Sequence, residues 1–478
     1  MTRLSLWKMA GAVLLLCAAT AIAAPAQTFN TLVDFDFTDG AGPYYMSLVQ
    51  GRDGNLYGTA FYGGTREDGT VFNVTPAGTL TALRSFDGAD GGGPNAGLVL
   101  STDLFFYGTT AYGGNCNCGV VFNITPGGRL TALYSFTDGT DGAYPIAGLV
   151  QGTDGNLYGT ANEGGDLTCA APYGCGTVFK ITQTGAFTPL HIFELHDGGF
   201  PRGGLIEASD GNFYGTTYEG GDLTCAAPYG CGTVFKITST GKLTMLHSFD
   251  VSDGSGPSAG LIQATDGDFY GTTFYGGDVS CLYGCGTIFK ITPGGALTTL
   301  HDFDGSDGSG PSAGLIQTTD GNSYGTTVEG FNAPGGTVFE ITPQGTLTTL
   351  HNFCSQNGCA DGNQPIGGLV QATNGILYGT TYLGGVDGYG NIFSIDMGLG
   401  PFVTFVRSYG KVGETGPILG QGFTGTTNVS LNGISANFTV VSDTYIRATV
   451  PVGATTGYVT VTTSSGTLKS NVPFRVIR

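Results

Sequence analysis

Seven copies of Asp-Gly-x-x-Pro punctuate the chain, with their aspartates at Asp39, Asp90, Asp141, Asp197, Asp253, Asp307 and Asp361. A ring of carboxylates could bind Ca²⁺, a hard cation that takes about six to eight oxygen ligands. The plainer reading is turn chemistry, in which the Asp side chain accepts from nearby backbone N–H groups and Pro fixes φ. The densest run, Asp302-Phe-Asp304-Gly-Ser-Asp307, is the calcium candidate, with Asp302, Asp304 and Asp307 as ligands. It lacks the closing Glu and the spacing of an EF-hand loop. His191, His247, His301 and His351 share one position in different copies of a strand-like pattern. Each is expected as a plain strand-surface residue, too far from the next to form a metal cluster.

A second set of residues differs from copy to copy. Just before a recurrent Gly stand Tyr62, Tyr112, Glu163, Glu219, Tyr275, Glu329 and Leu383. Arg202 follows the Pro of its connection, where the other copies carry Tyr44, Asn95, Ile146, Ser258, Ser312 and Ile366. Carboxylates beside stacking tyrosines would hold a sugar or a peptide. A pair such as Glu163 and Glu219 would do acid–base work on a glycoside if about 5–9.5 Å apart. Solvated loop tips are the plainer reading of the same set. The chain carries no nucleophile elbow, no metal-protease motif and no phosphate-binding Gly loop with its Lys.

Ten cysteines fall into five close pairs: Cys116/Cys118, Cys169/Cys175, Cys225/Cys231, Cys281/Cys285 and Cys354/Cys359. Each pair sits in a different copy without a Cys or His partner at zinc spacing, so local disulfides pinning the long loops are expected. Cys116/Cys118 is the tightest pair, and so small a ring is strained.

The elements that must position these groups follow from an internal period. Tyr-Gly-Thr recurs at Tyr57, Tyr107, Tyr158, Tyr214, Tyr270, Tyr324 and Tyr378, at spacings of 50, 51, 56, 56, 54 and 54 residues. Periods of this size mark propellers, solenoids or arrays. Each unit contains four short strand-like runs. In one unit these are 260–263, 269–273, 287–292 and 297–303, separated by Asp-Gly and Pro-Gly turns that supply positive φ. The fourth-strand pattern has six copies after its third strand, and the seventh stands at Phe29-Asn-Thr-Leu-Val-Asp-Phe35.

The expected fold is therefore all-β: a seven-bladed β-propeller of four-stranded blades, closed by an N-terminal strand. Closure removes an exposed sheet edge. Phe402 to Val406 echoes the same pattern and competes for the closing place, and an open β-solenoid is the rival fold. If strands alternate direction, the cysteine loop and the Asp-Gly connection lie together on one face, which becomes the candidate binding face. After about Met397 the repeat stops, and short Thr- and Val-rich runs fit a small Ig-like β-sandwich without cysteine. The boundaries are 1–26 for a signal peptide, 27–398 for the propeller and 399–478 for the sandwich.

Composition narrows the function classes. The chain has 478 residues, 86 of them Gly, with a formal charge of −19 and a pI near 4.3. So acidic a surface repels phosphate backbones and argues against nucleic acid. Beyond the N-terminus no apolar run approaches the roughly 20 residues of a membrane helix. Arg3 and Lys8, the apolar run Met9 to Ala19 and the small residues Ala24-Pro25-Ala26 form a secretory signal pattern. It predicts an exported protein, secreted or at the cell surface.

The unit with Tyr275-Gly-Gly, Gly286-Thr-Ile-Phe289 and Leu297-Thr-Thr-Leu-His-Asp-Phe303 resembles the GloVer-type extracellular tandem repeat of bacterial surface proteins, over roughly Phe29 to Asp396. The tail, with Ile418-Leu-Gly-Gln-Gly-Phe423, Val429 to Gly433 and Ala448-Thr-Val-Pro451, looks like an IPT/TIG immunoglobulin-like domain. The resemblance implies an exported, surface-associated protein. The expected function is recognition of an extracellular glycan or protein by a monomer, with no cofactor other than the Ca²⁺ weighed above. The alternative is a secreted carbohydrate-active enzyme, a lyase or hydrolase, using the acidic residues of the long-loop face.

Overall fold

The computed structural model describes residues 27–277 and 281–477. The signal pattern at 1–26 lies outside the described residues. The described residues are all-β apart from one short 3₁₀ turn, Asn357–Cys359. Up to Asp396 the described residues form seven four-stranded antiparallel sheets, six built from one unit of the repeat each and the last from the final unit and the N-terminal strand. In the fifth these strands are Ile262–Gln263, Phe269–Thr273, Thr287–Ile291 and Leu297–Asp302. The second strand is buried along its whole length, whereas the fourth is half exposed.

The Tyr-Gly-Thr signature has a separate task for each residue. In six copies the Tyr hydroxyl donates to the Asp of the preceding turn, as from Tyr270 to Asp266 at 2.8 Å, and in the seventh Tyr378 accepts from Asn374, so the turn is fixed to its strand. The Gly makes room: a Cβ on Gly271 would lie 2.6 Å from the Phe289 ring. The Thr hydroxyl joins neighbouring sheets by donating to a carbonyl of the next unit's leading segment. Thr59 reaches Ala96 at 2.9 Å, Thr216 reaches Ala259 at 2.8 Å and Thr272 reaches Ala313 at 3.1 Å. In the last unit the corresponding hydroxyl, on Thr380, faces the sulfur of Met46 in the first at 3.7 Å. The Thr373 N–H also donates to Gln50 at 2.9 Å, so the last sheet touches the first.

The N-terminal segment fills the open place. Thr28–Asp34 pairs antiparallel with Asn391–Asp396 and forms the outer strand of the last sheet. Phe29 stacks on His351 at 3.6 Å between centroids and meets Phe353 and Phe393 edge-on or stacked at 5.7 and 5.6 Å. The competing segment does not take this place, because Thr404–Phe405 pairs with Thr415–Leu419 instead.

The histidines correct an expectation. They are not plain surface residues, since Nε2 of His191, His247, His301 and His351 lies 2.9, 2.8, 2.7 and 3.2 Å from Oδ2 of Asp197, Asp253, Asp307 and Asp361. Arg84 and Tyr134 play the same part for Asp90 and Asp141. All seven aspartates also accept backbone N–H groups of their own turn, which is the expected turn chemistry. The outer strand is thereby tied to the connection that follows it.

All five cysteine pairs are disulfides: Cys116–Cys118, Cys169–Cys175, Cys225–Cys231, Cys281–Cys285 and Cys354–Cys359. In four of them the bridge runs from the loop into the interior of the sheets. Their second cysteines, Cys118, Cys175, Cys231 and Cys285, are buried, at 5%, 0%, 0% and 0% exposure. Each stands one residue before the Gly that opens the buried third strand, so its sulfur joins an apolar cluster of the sheets. Their partners Cys116, Cys169, Cys225 and Cys281 remain exposed or half-buried. These bridges therefore bolt the loop to the core. Cys354 and Cys359 are both half-buried.

Beyond Asp396, two further four-stranded sheets face each other across an apolar cluster containing Val403, Phe423, Val429 and Ile446. A parallel pair, Tyr409–Lys411 with Arg475–Ile477, lies beside them. This segment sits on the short turns of the repeat sheets. The Tyr409 hydroxyl donates to the Gly152 carbonyl (2.8 Å) and the Thr444 hydroxyl to that of Arg52 (2.7 Å), while the Arg475 guanidinium reaches Ser209. Among the described residues no helix is long and apolar enough to cross a membrane.

Candidate functional site

The long connections meet on the side opposite those turns. Single bridges pair Ala41 with Tyr62, Gly92 with Tyr112, Ala143 with Glu163, Gly199 with Glu219, Ser255 with Tyr275, Ser309 with Glu329 and Asn363 with Leu383. Every position of the variable set is therefore held by the Asp-Gly connection of its own unit. The residue before each Pro has positive φ, and four copies place Gly there: Gly42, Gly93, Gly256 and Gly310. A Cβ on Gly42 or Gly93 would press on the rings of Tyr382 or Tyr112 at 2.8 Å, so these glycines form a floor beneath aromatic side chains. In the third unit this place is Tyr144, with φ of 51°. A non-glycine residue in this region costs about 1–2 kcal/mol, and here it carries a ring to the surface of the face.

The result is a cavity of about 510 Å³ shared by the last unit and the first three. It is lined by Tyr44, Phe61, Tyr62, Tyr112, Tyr144, Tyr173 and Tyr382, together with Glu163, Asn95 and Asn162. Successive rings touch: Tyr382 with Tyr44 at 5.1 Å, Tyr44 with Phe61 at 5.6 Å, Phe61 with Tyr112 at 6.1 Å and Tyr112 with Tyr144 at 5.7 Å. Tyr173 rides on the short loop closed by Cys169–Cys175 and is 59% exposed. Burial raises the Glu163 carboxyl above its ordinary value, and the charge of Asp138 adds to the rise. Burial likewise raises Tyr144 and Tyr382.

A second cavity, of about 360 Å³, is lined by the leading segments of all seven units. Its lining includes Tyr45, an extra residue in the first unit, with φ of 44°, and Arg202. The Arg202 guanidinium lies 3.5 Å above the Tyr218 ring. Burial pushes the Tyr45 hydroxyl up to about 12, the neighbouring Tyr44 adding to the shift and Arg202 opposing it. Glu219 is raised by burial, and Arg202 opposes that rise also.

The variable residues thus separate into groups. Tyr62, Tyr112 and Glu163 share the aromatic cavity, Arg202 lines the second cavity, Glu219 is coupled electrostatically to that arginine, and Tyr275 neighbours Tyr218. Glu329 is exposed and belongs to neither lining. Tyr44, Phe61, Asn95, Tyr144, Asn162, Tyr173 and Tyr382 were not singled out from sequence as one site. The usable signal was the residue preceding each variable position, which is Phe61, Asn162, Tyr218, Phe274 or Tyr382 in five of the units.

The calcium candidates are occupied by internal bonds. Asp307 faces His301 at 2.7 Å and accepts the Asp304 N–H, while Asp304 accepts the Ser306 N–H and hydroxyl at 2.8 and 2.6 Å. Those bonds hold the Asp304 carboxyl below its ordinary value. Asp302 ends the outer strand, paired with Thr287. Among the described residues no three His, Cys, Asp or Glu side chains converge in a way that could hold a metal.

A family model described as the Gloeobacter/Verrucomicrobia repeat matches residues 20–227 and 223–441. No curated protein matches the chain. Among solved structures, a streptogramin B lyase superposes with a TM-score of 0.52 at 14% identity, over 77% of this chain and 97% of the other. A fungal alcohol oxidase of the AA5 family, solved with copper, gives 0.53 at 12% identity, over 94% and 99%. At such identities the likeness is one of fold, and both neighbours support a propeller-like arrangement.

Proposed function

The chain belongs to the Gloeobacter/Verrucomicrobia repeat family, and from that premise we propose that it is an exported binding protein. In this reading residues 1–26 are a signal peptide and 27–398 form a seven-bladed propeller closed by the N-terminal strand. Residues 399–478 form an Ig-like module of the IPT/TIG kind. The protein works outside the cell or at its surface as a monomer, recognising an extracellular glycan or protein through the long-loop face. Five disulfides support an oxidising compartment.

The observation that carries the reading is the cavity walled by seven aromatic side chains drawn from four units. Exposed Tyr-rich concavities supply large contact areas at low conformational cost. The enzyme alternative draws on the raised carboxyls of Glu163 and Glu219. Only Glu163 lines the aromatic cavity, however, so a paired acid and base is not assembled there. The test is a glycan and peptide array probed with the mature protein and with Tyr112→Ala and Glu163→Ala variants. Retention of a partner by the parent and its loss from both variants is expected. Equal retention by all three would sink the assignment of the site.

A further inference from the structure

We infer that the aromatic cavity receives an organic cation, an alkylammonium head group seated among the tyrosine rings beside Glu163. The inference rests on the binding role proposed above and names the ligand class of the same site. The lining offers π faces and a carboxylate, and among the described residues it contains no Lys, Arg or His. Among the described residues Glu163 forms no ion pair, and the charge acting on it is that of another carboxylate, Asp138. Asn95 is only 6% exposed, and among the described residues its buried amide oxygen has no hydrogen-bond partner, nor has that of Asn162. A buried acceptor without a donor is costly, and a positive ligand reduces that cost by its field.

Ring geometry points the same way. Tyr382 meets Tyr44 at 69°, Phe61 meets Tyr112 at 84° and Tyr112 meets Tyr144 at 77°. Edge-to-face rings build the walls of a box, whereas a sugar ring stacks on an open, flat platform. Ammonium groups within about 6 Å of such ring faces are attracted by the quadrupole, most strongly where water is excluded. The chain's charge of −19 draws cations and repels anionic competitors.

The ammonium group has two sources, a free quaternary amine or the side chain of a basic peptide, and the experiment separates them. Isothermal titration of the mature protein would compare choline, its neutral isostere 3,3-dimethylbutan-1-ol and N-acetyl-lysinamide. Choline or the lysine derivative is expected to bind at least about tenfold more tightly than the isostere. Whichever of the two binds better identifies the source. Glu163→Gln and Tyr112→Ala should each weaken binding about tenfold at unchanged melting temperature. Binding of the isostere as tight as that of the better-binding cation overturns the inference, and so does failure of both cations to bind. If a neutral partner held on the array is lost from Tyr112→Ala while no cation binds, only the ligand class is wrong. If the array also stays empty, the binding role falls with it.

Discussion

Asp39 stands apart from its six counterparts. The outer strand offers it Val33, where the others receive Arg84, Tyr134 or a histidine. Burial, only partly offset by the Asp36 N–H, pushes its carboxyl from 3.8 up to about 6. A folded-state value above the unfolded one means that ionisation opposes folding. The parent should therefore lose stability as pH rises from about 4 to about 6. Asp39→Asn should remove that loss and gain about 1 kcal/mol at pH 7 after solvent screening, with no gain at pH 3.5. Urea titrations at the two pH values check this, and an equal effect at both would refute it. His301 and the turn amides already occupy Asp307 and Asp304, so EDTA should leave the melting temperature unchanged; a clear drop would restore the calcium reading. The turn role of these aspartates was legible because Asp-Gly-x-x-Pro names its own geometry. Their histidine partners were not, since a pairing six to ten residues apart depends on how the outer strand folds back onto its connection.

At the scale of elements, the strand Thr28–Asp34 seals the sheet that ends the repeat. Removing residues 27–36 leaves Asn391–Asp396 as a bare edge and uncovers Phe353 and Phe393. The lost ladder and apolar burial should cost on the order of 5 kcal/mol and invite association through the edge. Calorimetry and light scattering check this outcome, and a truncated chain that melts like the parent and stays monodisperse would refute it. The disulfide Cys169–Cys175 spans six residues and anchors the loop bearing Tyr173. Replacing both cysteines by Ser should lower stability by roughly 2 kcal/mol on the loop-closure account. It should also weaken cavity binding, because Tyr173 is released. The cysteine pairing was legible from spacing alone. The burial of Cys118, Cys175, Cys231 and Cys285 was not, because it depends on the neighbouring sheet that covers the start of each third strand. The closing strand was legible because a missing sixth-to-seventh copy could be counted and found at Phe29 to Phe35. The cavity was less so: Tyr382 and Tyr44 stand at opposite ends of the repeat array and meet only when the last sheet touches the first.

At the scale of the molecule the two faces are used differently. The segment after Asp396 packs on the short turns through Tyr409, Thr444 and Arg475, so the long-loop face with its aromatic cavity is left facing solvent. That division was not legible, because nothing in the Thr- and Val-rich tail marks which turns it will cover. The extra residue Tyr45, which breaks the sevenfold pattern beside Arg202, was also hidden by the irregular length of the connections. The most direct measurement of the proposed role is hydrogen–deuterium exchange on the mature protein, alone and with the partner retained on the arrays. Slowed exchange is expected in 41–44, 61–64, 111–114, 162–165 and 382–385, with none in the turns at 52–55, 153–156 and 209–212. Protection confined to those turns, or to 399–477, would contradict the assignment of the long-loop face as the binding surface.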